Sequence, residues 1–216
     1  MKYKHLLAVI AAAAASLALT TGALAADATP RAGVNYQVLD TPQPTNAAAG
    51  QVEVMEFFWY ACPHCYAFEP YLENWLAKDK PKDVKFVRVP VMNGFQWAHV
   101  MARAFYTEKA LGVVDKLHKP IFDEIHRRRH LLKSKEDFKK FFVKHGVDGD
   151  AFDKAWNSFT VAMDMKRAAS EQKAYQIMGV PTLAIAGKYT LTLHQGQNDE
   201  DMLRVTDYLV KKESSK

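Results

Sequence analysis

Cys62 and Cys65 are the two cysteines of this 216-residue chain, and they stand as Cys62-Pro63-His64-Cys65. Two thiols separated by two residues can meet across one helical turn, so they can form and break a disulfide with each other. Proline suits the first position of a helix, where its missing N–H costs nothing. Pro63 therefore marks a helix start and makes Cys62 the residue that caps it. A sulfur at that point faces the unpaired N–H groups of the first turn, which favour negative charge. The thiolate is the reactive form of cysteine. The pair is expected to be unequal, with an exposed Cys62 that attacks and a more buried Cys65 that resolves. His64, beside that thiolate, is a histidine able to change charge near neutral pH. A bridge this short restricts the unfolded chain little, so the spacing fits redox chemistry better than stapling.

The elements that must hold this pair are legible around it. Val52 to Tyr60 reads as a strand running into Cys62. Alternation puts Val52, Val54, Glu56 and Phe58 on one face. Glu56 is an acid on an apolar face, six positions before Cys62, and burial would raise its pKa. Such an acid is suited to exchange a proton with Cys65. The helix from Pro63 to about Ala77 carries a stripe of Phe68, Tyr71, Leu72, Trp75 and Leu76, and Pro70 should kink it. Tyr36 to Leu39 is a candidate edge strand, Thr41 to Gly50 a loop, and Val84 to Val91 a second long strand.

From Gln96 to about Met178 the pattern turns helical. Five helices are expected: one from Trp97 ending at Gly112, one across Val114 to Ile125 with Pro120 inside, one capped by Ser134, one marked by Phe152, Ala155, Trp156 and Phe159, and one from Val161 to Met178. Strands return at Thr182 to Ala186 and Lys188 to Leu193, flanking Gly187 as a hairpin, and Asp199 to Lys211 closes as an amphipathic helix. A sheet interrupted by helices in this way implies a helical domain inserted into a small α/β domain. The boundaries are read as 26–94 and 166–216 for the α/β part and 95–165 for the insertion.

Residues 1–25 form a separate unit. Lys2 and Lys4, an apolar run from Leu6 to Leu19 and the small-x-small triplet Ala23-Leu24-Ala25 describe a secretory signal peptide cleaved after Ala25. Export brings the chain into an oxidising compartment. The formal charge of +5 loses two lysines with the leader, and so mild an excess does not argue for nucleic acid. A monomer is expected.

The same residue types occur in other chemistries. Cys62 and Cys65 with His126 and His130 contain zinc-ligand types, but about sixty residues separate the halves, unlike a finger. Arg127, Arg128 and Arg129 between those histidines read as a solvated basic face or as a dock for an acidic partner. A disulfide isomerase or reductase could use the same cysteines. A redox-inert chaperone would leave the intact pair without a purpose.

The run Glu-Phe-Phe-x-x-x-Cys-Pro-His-Cys-Tyr-x-Phe-Glu (Glu56 to Glu69), then Gly-Val-Pro-Thr (Gly179 to Thr182) and Gly-Lys-Tyr-x-Leu (Gly187 to Leu191), resembles the DsbA family, the thiol:disulfide oxidases of the bacterial periplasm. The resemblance spans nearly all of the chain after the leader. It implies a thioredoxin-like fold with a large inserted helical domain. It implies that Cys62 attacks, Cys65 resolves, His64 and Pro63 tune the thiolate, and Glu56 is the buried acid. Pro181 would be a cis-proline facing the disulfide, with the Val180 backbone presented for pairing with substrate. A basic residue often neighbours the buried acid, and Lys85 and Arg88 are the candidates. The implied partners are reduced exported proteins and a DsbB-like, quinone-linked inner-membrane oxidase, with no bound cofactor. Pro70 departs from the family and is closer to thioredoxin's helix.

Overall fold

The computed structural model describes residues 29–215 apart from 93 and 194–197; the leader expected at 1–25 lies outside them. The sheet has five strands in the order β1-β5-β4-β2-β3. These are β1 (Gln37–Val38), β2 (Val52–Phe58), β3 (Val84–Pro90), β4 (Thr182–Ile185) and β5 (Tyr189–Thr192). All seven residues of β2 are buried, because β2 lies between β3, its parallel neighbour, and β4, its antiparallel one. A strand covered on both edges and both faces reads as a near-continuous apolar run, which makes Glu53 and Glu56 conspicuous. The β4–β5 hairpin forms as expected, with β1 on the outer edge.

Helix α1 (Pro63–Asn74) passes through Pro70 without a break. A five-residue π-helical turn over Trp75–Asp79 continues it. Phe68, Leu72 and Trp75 are buried, but Tyr71 is exposed, so the apolar stripe is narrower than the sequence pattern. Between β3 and β4 come α2 (Gln96–Leu111), α3 (Val114–His126), α4 (Lys135–Lys144), α5 (Gly149–Trp156) and α6 (Phe159–Ala174). Helix α7 (Asp199–Ser214) ends the order. Ser134 caps α4 in a reciprocal box with Asp137. Phe159 opens α6 and is exposed; it does not belong to the preceding helix, as its apolar character had implied, because Ser158 caps α6 just before it.

Two apolar clusters bracket the sheet. One joins Met55, Phe57 and Phe58 to residues of α2 through α6, among them Phe105, Phe122 and Phe152. The other packs Val54, Leu183 and Ile185 against Phe68 and Leu72 of α1 and Met202, Val205 and Leu209 of α7. Helix α1 therefore leaves the end of β2 with its start held between both clusters. No helix among the described residues is long and apolar enough to cross a membrane.

Candidate active site

Cys62 occupies the N-cap of α1 in extended backbone geometry, with Pro63 directly after it. Both cysteines are free thiols. Cys65 is fully buried and Cys62 is 7% exposed. The expected inequality holds in order, but Cys62 is recessed instead of openly exposed; Pro63 and His64 are the exposed residues of the turn. A hydrogen bond from the Cys65 thiol, followed by the N–H groups of Cys65 and His64 and the charge of His64, lowers Cys62 from the ordinary thiol value to about 6. Burial, together with the neighbouring Cys62 sulfur, pushes Cys65 well above that value.

Opposite the sulfur stands the loop before β4. Val180–Pro181 is a cis peptide, and the Cys62 thiol lies 3.4 Å from the Val180 carbonyl oxygen. His64, Val180, Pro181, Leu193 and Asp199 line one open groove. The residues singled out from sequence around the redox pair therefore meet at one place, although Pro181 is far from Cys62 along the chain.

Below the cysteines, Glu56 is completely buried. Burial raises its carboxyl from 4.5 to about 8, against the opposing charge of Arg88 and with help from Glu69 and Glu73. Arg88 is the basic neighbour: its Nε is 3.1 Å from Glu56 Oε2. Lys85 instead reaches the Asn46 carbonyl and Glu53. The same Arg88 guanidinium contacts Glu69 at 2.8 Å and Glu73 at 2.5 Å. Burial alone would raise Glu69; the His118 ring and Arg88 outweigh it and hold that carboxyl at about 2.

Glu69 was not singled out from sequence, yet a signal existed. Cys65, Phe68, Glu69 and Leu72 share the buried face of α1, so Glu69 is an acid on an apolar stripe. His126 is engaged otherwise than as a metal ligand. Its Nε2–H donates to the Tyr60 carbonyl at 2.8 Å, and its ring stacks on Tyr66. His130 lies beyond the end of α3 and contacts Glu124 at 2.9 Å. The two histidines thus do not share a helix face. Among the described residues, no group of three His, Cys, Asp or Glu side chains is placed to hold a metal ion.

A recessed dithiol at a helix N-terminus, facing a cis-proline loop on a thioredoxin-like sheet, defines a thiol:disulfide oxidoreductase. The DSBA-like thioredoxin domain family matches residues 91–206. The thiol:disulfide interchange protein DsbA of Azotobacter vinelandii is 43% identical over 183 residues, covering 85% of this chain and 84% of that protein. The DsbA of Burkholderia cepacia is 39% identical, covering 93% of this chain and 94% of that one. The crystal structure of Pseudomonas aeruginosa DsbA superposes with a TM-score of 0.81 at 38% identity, over 86% of this chain and 95% of that structure. The chain belongs to the DsbA family. It is a thiol:disulfide interchange protein of the oxidase type.

Proposed function

We propose that the chain donates a Cys62–Cys65 disulfide to reduced exported proteins in the periplasm. The observation that carries this reading is the placement of Cys62 at the N-cap of α1, 3.4 Å from the Val180 carbonyl oxygen of the cis Val180–Pro181 peptide, with Cys65 fully buried behind it; the surroundings lower the Cys62 thiol and raise that of Cys65. A substrate thiolate attacks the Cys62 sulfur; the Cys62–Cys65 bond breaks, and a mixed disulfide forms. Cys65 departs with the electron pair and takes a proton, for which Glu56 is the nearby buried acid. A second thiolate of the substrate then attacks the substrate's own sulfur in the mixed disulfide. The substrate leaves oxidised, and Cys62 leaves as a thiolate. The more stable that thiolate, the more oxidising the dithiol pair.

In this reading His64 and Pro63 tune the Cys62 thiolate, and the Val180 and Pro181 backbone aligns the substrate beside it. Residues 26–94 and 166–216 form the thioredoxin-like part and 95–165 the insertion. Residues 1–25 are removed on export. A DsbB-like, quinone-linked membrane oxidase restores the disulfide, and no bound cofactor takes part.

The test is the equilibrium of the pair against a graded glutathione buffer, followed by the fluorescence of Trp59. A pair that stays reduced until the buffer is strongly oxidising supports the donor reading. A pair that oxidises as readily as thioredoxin's is built to reduce, and the donor reading fails.

A further inference from the structure

Beyond Glu69, a second set of buried polar groups runs from the end of β2 into the helical region. Tyr60, Glu108 and His118 are all buried. The Tyr60 hydroxyl oxygen is 2.8 Å from Glu108 Oε1 and 2.7 Å from His118 Nδ1. His118 Nε2 faces Glu69 Oε1 at 3.6 Å, a contact between polar groups that is longer than a hydrogen bond. The ring of His118 is enclosed by Phe58, Phe105 and Phe122. The exchange chemistry above leaves these polar groups without a part.

A hydroxyl has one proton, so Tyr60 donates to one neighbour and accepts from the other. Suppose Tyr60 donated to an ionised Glu108. Its oxygen would then accept from Nδ1–H of His118. A neutral His118 would turn the lone pair of Nε2 toward the carboxylate of Glu69, acceptor against acceptor. Glu108 Oε2, which has no hydrogen-bond partner among the described residues, would also be a bare buried carboxylate oxygen. The opposite polarity removes the first fault and lessens the second, since Oε2 becomes the carbonyl oxygen of a neutral acid instead of part of a carboxylate. A neutral Glu108 donates to Tyr60, Tyr60 donates to Nδ1, and Nε2 carries a hydrogen directed at Glu69. Burial favours this assignment at both ends, raising Glu108 and lowering His118.

We propose that Glu108, Tyr60 and His118 are positioning residues of the redox site: a one-way chain of hydrogen bonds presents an N–H of His118 to Glu69 and so shifts the share of Arg88 left for Glu56. The charged and titratable groups around Glu56 are Arg88 from β3 and Cys65, Glu69 and Glu73 from α1. His118 from α3 acts on this set through Glu69. With its N–H in place, Glu69 depends less on Arg88, and Arg88 is freer to hold Glu56 as an anion. The consequence for the reaction rests on Glu56 being the acid that serves Cys65.

Nitrogen NMR of the reduced wild-type protein reads the chain directly. His118 is expected as the neutral Nε2–H tautomer at neutral pH. An imidazolium or an Nδ1–H tautomer would overturn the proposal, whatever Glu56 does. Glu108→Gln keeps a donor toward Tyr60 and is expected to leave that tautomer unchanged; losing it would show that Glu108 acts as an anion and would sink the assignment. In His118→Phe, an apolar ring in an aromatic cage, the carboxyl titration of Glu56 by carbon NMR should move upward by about half a pH unit or more. No movement in the folded variant would refute the link to Glu56 while leaving the proton-donor role of Glu56 itself intact.

Discussion

Arg88 Nε stands 3.1 Å from Oε2 of Glu56, and the two residues are register partners on the paired strands β2 and β3. One cation thus faces the acid from the neighbouring strand while also contacting Glu69 and Glu73. Three carboxyls share it, which is why burial prevails and Glu56 rises to about 8.

That rise predicts a pH dependence of stability. A group whose folded pKa is raised binds its proton more tightly when folded. Its contribution is full below the ordinary value and is lost as pH rises. For Glu56 the window is 4.5 to about 8. Glu56→Gln should therefore gain stability relative to wild type across that window. Urea denaturation of both reduced proteins at several pH values gives the difference, and a constant difference would contradict the buried protonated acid.

Cys62 has the opposite sign. Its folded pKa is depressed, so its contribution is present above the ordinary thiol value and disappears as pH falls through about 6. The largest cause is the hydrogen bond from Cys65. Cys65→Ala should shift the thiolate absorbance midpoint of Cys62 upward from about 6. If the midpoint stays in place, the helix terminus and His64 carry the effect without Cys65.

Phe58 is fully buried where the redox segment meets the helical region. It packs edge-on against Tyr60, Phe105 and His118. Phe58→Ala should cost about 3–5 kcal/mol of unfolding free energy, read from chemical denaturation. A loss of less than about 1 kcal/mol would mean that the site collapses around the missing ring.

Gly187 turns the β4–β5 hairpin with a φ of 69°, and a Cβ there would lie 2.1 Å from the Gln43 carbonyl oxygen. The Gln43 N–H also donates to the Gly187 carbonyl at 2.7 Å. Gly187→Ala combines a strained backbone with a backbone clash, and should destabilise by more than about 1 kcal/mol. A thermal midpoint equal to that of wild type would show that the 41–50 loop can move aside without loss.

Much of the site was legible along the chain because its signals are local. The spacing of Cys62 and Cys65, Pro63 at the helix start, and Glu56 on an apolar face each need only a few neighbouring residues to be read. The same holds for the caps at Ser134 and Gly112, since capping chemistry acts within one turn. Pro70 is equally local: its ring removes one backbone hydrogen bond, and the helix runs continuously from Pro63 to Asn74 around it.

The remaining relationships were decided by tertiary structure. Strand pairing chose Arg88 over Lys85 as the partner of Glu56, since alternation sends the two to opposite faces of β3. Glu69, Glu108 and His118 each sit on the buried face of a helix, and none of the three was singled out along the chain. Periodicity places a polar residue on an apolar face but does not say what it meets there. A buried polar group is tolerated only beside its partners, and those partners come from β2, β3, α1, α2 and α3, brought together by the fold. The sequence by itself determined the redox chemistry of Cys62 and Cys65; the packing of the helical region against β2 and α1 determined the surroundings in which their protons are held.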